Sequence, residues 1–189
     1  MFTETINDVK LVLETADTSF SPNGIDKGTI VMLSAVDFSQ QEKVLDLGCG
    51  YGVVGIYAAK LIGAQNVVMS DIDAASVELA QHNALLNNTE GIRIVLSDGF
   101  TNIQDSNFTL ILSNPPYHSD FSVPKGFIEK GFNRLKIGGK MLMVTKRKDW
   151  YKNKFIAIFG DVKIIEKEGY FLFCAEKRST KFANVNQKK

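Results

Sequence analysis

Four polar residues, Asp46, Asp71, Asp98 and Asn114, each follow an apolar run, and each carries an oxygen able to accept hydrogen bonds. The most informative is the last, in Asn114-Pro115-Pro116-Tyr117. Prolines remove donors and stiffen the backbone, so the Pro115 carbonyl can be held in one direction. That carbonyl and the Asn114 side-chain oxygen can both accept hydrogens from one –NH2 group. An exocyclic amino nitrogen on a base is a poor nucleophile, because its lone pair is delocalised into the ring. Two acceptors gripping its hydrogens favour a pyramidal nitrogen whose lone pair points at an incoming methyl. Tyr117 offers a flat face to a base or amide, and stacking on a base contributes roughly 1–3 kcal/mol. An Asn-Pro turn closing a strand would give the same four residues with no chemistry attached.

The second half of a site lies in Val44-Leu45-Asp46-Leu47-Gly48-Cys49-Gly50-Tyr51-Gly52-Val53-Val54-Gly55. Gly48, Gly50 and Gly52 make G-x-G-x-G, and Gly50, Gly52 and Gly55 make the overlapping G-x-G-x-x-G. Glycines allow positive φ and let a ligand press on bare backbone, and the helix starting there offers unpaired N–H groups. Asp71 lies 21 residues after Gly50, where a dinucleotide site places its ribose-binding acid. Asp46 counts against the dinucleotide. An acid near the strand end should face the pocket mouth, repelling a pyrophosphate and attracting a cation. S-adenosylmethionine (AdoMet) carries an ammonium and a sulfonium but no phosphate, and is favoured over an NAD-type ligand or a purely structural turn. Asp71 suits a ribose diol, offering two oxygens and no donor, although an exposed turn acid would look the same. Ile72 can rest on an adenine face, Asp73 is more simply a helix cap, and Asp98 before Gly99 can accept the adenine amino hydrogens or merely form a turn. Cys49 is a small residue of the turn, with no neighbour that argues for a nucleophile.

These residues need elements to hold them. Residues 3–20 alternate in short patches, as a strand or hairpin covering one side of the core, before the turn Ser21-Pro22-Asn23-Gly24. A short helix starts after Asp26. The expected strands are Lys43 to Leu47, Asn66 to Ser70, Ile92 to Leu96, Phe108 to Ser113, Lys140 to Val144, about 162–168 and about 170–176. Helices fall between them: Gly52 to Ile62, a segment capped by Asp73 and stopped by Asn87-Asn88, one beginning near Pro124 and ended by Gly138-Gly139, and a polar one over about 147–158. Alternating strands and helices imply an α/β, Rossmann-like fold, an about seven-stranded, mostly parallel sheet with helices on both faces. Ligands of such sheets bind at the carboxyl ends of the strands, at the switch point. Residues 1–189 form one expected domain: a cover (1–40), a core (41–178) and a basic tail (179–189).

The composition, 44% hydrophobic and 23% charged, is that of an ordinary globular domain. No apolar run approaches a membrane span and the start lacks a secretory signal, so the expectation is cytoplasmic. Cys49 and Cys174 have neither metal-ligand nor disulfide-framework spacing, and no metal is expected. The net charge of +1 hides an asymmetry. Residues 1–145 hold 10 Lys and Arg against 16 Asp and Glu, whereas residues 146–189 hold 12 against 5. A basic end on an acidic body suits a phosphate-bearing partner or is a solvated face.

Taken in order, Asp46 to Gly50, Asp71, Asp98 and Asn114 to Tyr117 resemble class I AdoMet-dependent methyltransferases acting on amino or amide nitrogen. Leu135-Lys136-Ile137-Gly138-Gly139-Lys140 resembles them too. The segment Phe20-Ser21-Pro22-Asn23-Gly24-Ile25-Asp26-Lys27-Gly28-Thr29, with His118, narrows the resemblance to the methyltransferase small domain group, whose best-known members methylate guanine-N2 in small-subunit ribosomal RNA. The resemblance covers roughly residues 5–176. It implies that Asp46, Gly48, Cys49, Gly50 and Gly52 hold the methionine end of AdoMet, Asp71 and Ile72 the ribose and adenine face, and Asp98 with Gly99 the adenine. Asn114, Pro115 and Tyr117 would hold the acceptor, and Lys27-Gly28-Thr29 would close over the methionine part. Larger members carry a second, degenerate copy of the domain that helps bind RNA, for which 189 residues leave no room. RNA contact then falls to this domain, its basic C-terminal part or a second subunit of a homodimer. A release-factor-type glutamine methyltransferase, an adenine-N6 methyltransferase and a non-catalytic RNA-binding module are the alternatives. NAD-dependent reduction falls away, because no hydride-transfer group follows the glycine loop.

Overall fold

A computed structural model describes residues 1–16, 24–116 and 120–183. The chain opens with a hairpin of β1 (Phe2–Ile6) and β2 (Val9–Leu13), turned through Asn7 and Asp8 at positive φ. Such tight turns favour Asn and Asp, which tolerate the left-handed region. Helix α1 (Lys27–Leu33) follows, with Asp26 as its N-cap. Then come β3 (Val44–Leu47), α2 (Val53–Ile62), β4 (Val67–Asp71), α3 (Ala74–Leu86), β5 (Arg93–Leu96) and β6 (Phe108–Ser113). The chain continues through α4 (Ser122–Arg134), β7 (Leu135–Thr145), α5 (Asp149–Phe159), β8 (Lys163–Lys167) and β9 (Tyr170–Glu176).

Seven strands form one sheet in the order β5-β4-β3-β6-β7-β9-β8. The pairs from β5 to β7 are parallel, and β9 runs antiparallel to both its neighbours. The order reverses between β3 and β6, which is where such a sheet opens a crevice at its carboxyl edge. Side-chain alternation splits the interior in two. Val44, Leu110, Leu112, Leu142, Val144 and Leu172 pack with α1, α2 and part of α3, while Leu45, Leu47, Ile111, Met141, Met143 and Phe173 pack with α4 and α5. Two apolar faces covered by helices account for apolar residues pointing to both sides of the sheet, as Leu110, Ile111 and Leu112 of β6 do.

The opening hairpin stands apart from the main sheet and is fastened by side-chain amides of α3. Asn83 accepts from Glu14 N (2.8 Å) and donates to Glu14 O (3.0 Å) and to Tyr51 O (2.8 Å). Asn87 accepts from Val12 N (3.0 Å) and donates to Val12 O (2.7 Å). The two amides act toward β2 as a neighbouring strand would, satisfying an edge that is otherwise unpaired.

One boundary differs from expectation. The Gly138-Gly139 pair does not end the preceding helix, which stops at Arg134. The strand begins at Leu135 and runs through both glycines. Its register against β6 shifts between Phe108 and Leu110, so the pair sits at a bulge. A Cβ at residue 139 would come within 2.8 Å of the Phe108 carbonyl, so the glycine is needed for close backbone approach rather than to stop a helix. Gly138 N and Gly139 O bond to Lys177, each at 2.8 Å.

Candidate active site

The cavity at the switch point has a volume of about 320 Å³. Its wall takes in the glycine turn after β3, the ends of β4, β5 and β6, the start of α1, and Val123 and Phe127 of α4. The turn is anchored on β4, since Gly48 N and Cys49 N both donate to Ser70 O at 2.8 and 2.9 Å. Gly50 has φ +53, a Cβ on it would stand in open space, and its N–H donates to Asp71 Oδ2 at 2.8 Å. A side chain there would protrude into the cavity, where a ligand can instead lie against backbone. Gly55 serves otherwise. A Cβ on it would run into Met69 Sδ, so this third glycine lets α2 lie close on β4.

Asp46 departs from expectation in position. Rather than facing the mouth it lies on the cavity floor, 2% exposed, on the sheet face beneath α2. It shares the side-chain parity of Val44, which packs under that helix. Its Oδ2 accepts from Gly55 N at 2.8 Å. The positive end of α2 is thus already met by an internal carboxylate. Burial pushes the Asp46 pKa up to about 7, against the lowering effect of the Gly55 bond and with a smaller upward push from Asp71. Burial, then Asp46 and Asp71, raise the Cys49 thiol well above its ordinary range, so this cysteine is no thiolate nucleophile.

Asp71 ends β4 and lines the cavity, with Oδ2 on Gly50 N and Oδ1 on Asp73 N at 3.0 Å. It ties the glycine turn to the next loop, and each carboxylate oxygen retains a second lone pair for a ligand. Asp73 caps α3 through Ser76, whose hydrogen bonds hold its carboxyl below the usual range. Ile72 is 68% exposed yet lines the cavity, an apolar surface with no protein to cover it. Asp98 and Gly99 complete this end, and a Cβ at Gly99 would touch Phe127 at 3.4 Å.

At the end of β6, the Asn114 Nδ2 donates to Asp26 Oδ1 (2.9 Å) and to Thr29 Oγ1 (3.0 Å). A carboxylate can only accept, so this pairing decides the amide's orientation: the nitrogen faces α1, and Oδ1 is the end turned elsewhere. Asp26 Oδ1 also accepts from Gly28 N (2.8 Å) and Thr29 N (3.4 Å), and Tyr170 Oη donates to Asp26 Oδ2 at 3.4 Å. Pro115 is buried, Pro116 exposed, and both line the cavity. Thr29 lines it too, whereas Lys27 does not. Tyr117 and His118 lie outside the described residues.

Asp26, Phe127 and Val123 are the contributors that sequence reasoning missed. Asp26 reads as a helix start and Phe127 as one of an apolar stripe; only the Phe20–Thr29 resemblance pointed toward the former. Four carboxylates, Asp26, Asp46, Asp71 and Asp98, line the cavity, and among the described residues no Lys or Arg does. That donor set fits a cationic nucleoside ligand such as AdoMet and opposes a pyrophosphate. Among the described residues no cluster suits a metal ion, and no helix is long and apolar enough to cross a membrane.

Fold and cavity together define a class: a doubly wound domain with an acid-lined nucleoside pocket and a clamped asparagine beside it. The chain belongs to the methyltransferase small domain family, whose model matches residues 10–174. It is 31% identical to the ribosomal RNA small subunit methyltransferase C of Serratia proteamaculans over 165 residues, which cover 85% of this chain and 47% of that protein. It is 30% identical to the uncharacterized protein YbxB of Bacillus subtilis over 164 residues, covering 84% of this chain and 82% of that one. Among solved structures, the T. thermophilus 16S rRNA guanine-N2 methyltransferase (RsmC), in complex with AdoMet and guanosine, superposes with a TM-score of 0.84 at 25% identity, covering 94% of this chain and 50% of that one. The chain thus spans about half the length of the ribosomal RNA methyltransferases it matches.

Proposed function

We propose that the chain is an AdoMet-dependent N-methyltransferase acting on the exocyclic N2 of a guanine in small-subunit ribosomal RNA, by direct in-line transfer. The observation that carries this reading is the fixed Asn114 amide at the rim of a cavity lined by carboxylates and, among the described residues, by no Lys or Arg. The similarity to a guanine-N2 methyltransferase solved with AdoMet and guanosine supports the choice of substrate. When bound, AdoMet supplies an electrophilic methyl on a sulfonium.

The residues of this chain then do the positioning. The glycine turn, Asp46 and Asp71 fix the donor half, and Ile72, Asp98 and Phe127 enclose its base. Asn114 Oδ1 and the Pro115 carbonyl accept the two amino hydrogens, turning the nitrogen lone pair toward the cavity. AdoMet would give up its methyl to that nitrogen and leave as S-adenosylhomocysteine, while the Asn114 and Pro115 oxygens would stabilise the positive charge on the nitrogen until its proton passes to water. Placement and charge complementarity supply the rate, with no covalent enzyme intermediate. Residues 41–178 form the catalytic core and 1–40 its cover, and a ribosomal substrate accords with a cytoplasmic location.

The test is transfer of radiolabelled methyl to small ribosomal subunits, free ribosomal RNA and release factors. Label is expected on RNA, in the N2-methylguanine fraction of a nucleoside digest; label only on protein overturns the reading. Asn114→Ala is expected to reduce transfer roughly 10²–10³-fold, the scale of losing one preorganised polar contact to a reacting group. AdoMet affinity should stay within a few-fold, and transfer remaining within about ten-fold of the unsubstituted rate contradicts the mechanism.

A further inference from the structure

The carboxyl edge of the sheet is polarised. Over β3, β4 and β5 it carries the glycine turn, Asp46, Asp71 and Asp98, and β6 places Asn114 at the centre. Beyond that, β7 pairs with β6 in a register that sets Met143 beside Ser113, and Lys146 directly follows the end of β7 at Thr145. Thr145 pairs with Phe171 of β9. The turn leaving β7 holds three successive cations, and each lies over a ring. Lys146 Nζ is 5.1 Å from the Tyr170 centroid, the Arg147 guanidinium 4.9 Å from Phe121, and Lys148 Nζ 5.0 Å from Phe171. Phe121 in turn stacks on Trp150 at 4.5 Å and 21°. The aromatic residues of α5 divide: Tyr151 is buried against Phe173, whereas Trp150 stays half-buried with Phe121 at the rim.

Acids face part of this turn. Glu166 pairs with Lys148 at 3.4 Å, both groups being well exposed, and such pairs are weak. Asp149 and Asp120 are exposed nearby in sequence. Three adjacent like charges repel one another, and one cation on a ring would suffice to cover it.

We propose that Lys146, Arg147 and Lys148, with the Phe121–Trp150 stack, seat the sugar–phosphate backbone of single-stranded RNA flanking the methylated base. This rests on the function proposed above. The acid-lined half of the edge repels phosphates, so a strand delivering a base to Asn114 must run across β7 and β9. The half-buried Phe121–Trp150 stack at the rim, set among cations, suits a single strand, whose unstacked bases can lie against it. Bases within a duplex are already stacked on one another.

The test is equilibrium binding of a 12-nucleotide single-stranded RNA, read by fluorescence anisotropy across a potassium chloride series. The expected slope of log affinity against log salt falls by about two in Lys146→Ala/Arg147→Ala/Lys148→Ala, at roughly 0.7 per lost single-strand contact. Lys146→Ala alone should lower it by about 0.7. Lys10→Ala/Lys60→Ala, on the hairpin and on α2, should leave it unchanged. AdoMet affinity in the triple variant, unchanged within about two-fold, shows that the fold is intact. An unaltered slope in the triple variant, or tighter binding of a duplex of equal length, overturns the proposal. Binding does not depend on turnover, so a chain that binds RNA through this rim but labels only protein refutes the function and leaves the rim standing.

Discussion

Asp26 determines which end of the Asn114 amide can receive a hydrogen bond, because its carboxylate has none to give. Removing it with Asp26→Ala should lower kcat about ten- to a hundred-fold, the cost of loosening a positioned contact, with little change in AdoMet affinity. Asp26→Asn keeps one acceptor oxygen for Asn114 and α1 and should recover much of the rate. Equal losses in both variants would separate the charge of Asp26 from its geometry. Asp46 leads to a pH dependence. Its carboxyl, ordinarily at 3.8 and raised to about 7 by burial, binds its proton more tightly folded than unfolded. Stability of the ligand-free protein therefore declines as pH rises between those values, where the unfolded chain has ionised and the folded one has not. A cationic ligand favours the ionised form, so AdoMet should bind more tightly at pH 8 than at pH 6, measured by calorimetry. In Asp46→Asn that pH response should vanish. Asp46, Asp71, Asp98 and Asn114 were legible because each closes an apolar run, and a parallel sheet gathers strand ends on one edge. The depth of Asp46 was not legible, because it depends on side-chain parity beneath α2. Nor was the Asp26–Asn114 contact, between residues 88 positions apart.

Among elements, the amides of α3 hold the hairpin in place of a sheet. Asn83 is fully buried with three backbone partners, so Asn83→Ala strands Glu14 and Tyr51 groups without a bond. The expected loss is about 3 kcal/mol, read as a lower urea midpoint at unchanged slope. A substitution of exposed Glu78 on the same helix should have almost no effect. Strands β6 and β9 follow the expected limits to the residue, since uninterrupted apolar, aromatic and β-branched runs leave little choice of period. Leu135–Gly139 was misplaced for a physical reason: a glycine pair that stops a helix and one that admits a bulge have the same letters. Only the Phe108 carbonyl across the sheet distinguishes them. Asn87 likewise reads as a helix stop, and its bonds to Val12 become visible only once the hairpin has folded back.

Across the whole molecule, charge is divided along one edge of the sheet. Three of the four cavity carboxylates, Asp46, Asp71 and Asp98, lie over β3 to β5, whereas Lys146, Arg147 and Lys148 follow β7 beside β9, the same acidic body and basic end that run along the chain. AdoMet at 100 times its dissociation constant should raise stability by about 2.7 kcal/mol, seen as a higher melting temperature. NADH at equal concentration should give no shift, because its pyrophosphate meets the acids and the helix end held by Asp46. The charge division was legible as a compositional asymmetry. Its alignment with one edge was not, because the antiparallel insertion of β9 between β7 and β8 brings Tyr170 and Phe171 back beside Lys146. The Asn83 side chain reaches the hairpin with one hand and the Tyr51 carbonyl with the other. Saturating the pocket should accordingly slow deuterium uptake at the Glu14 amide, on a remote flap that touches no guest, so that the flap reports occupancy from a distance.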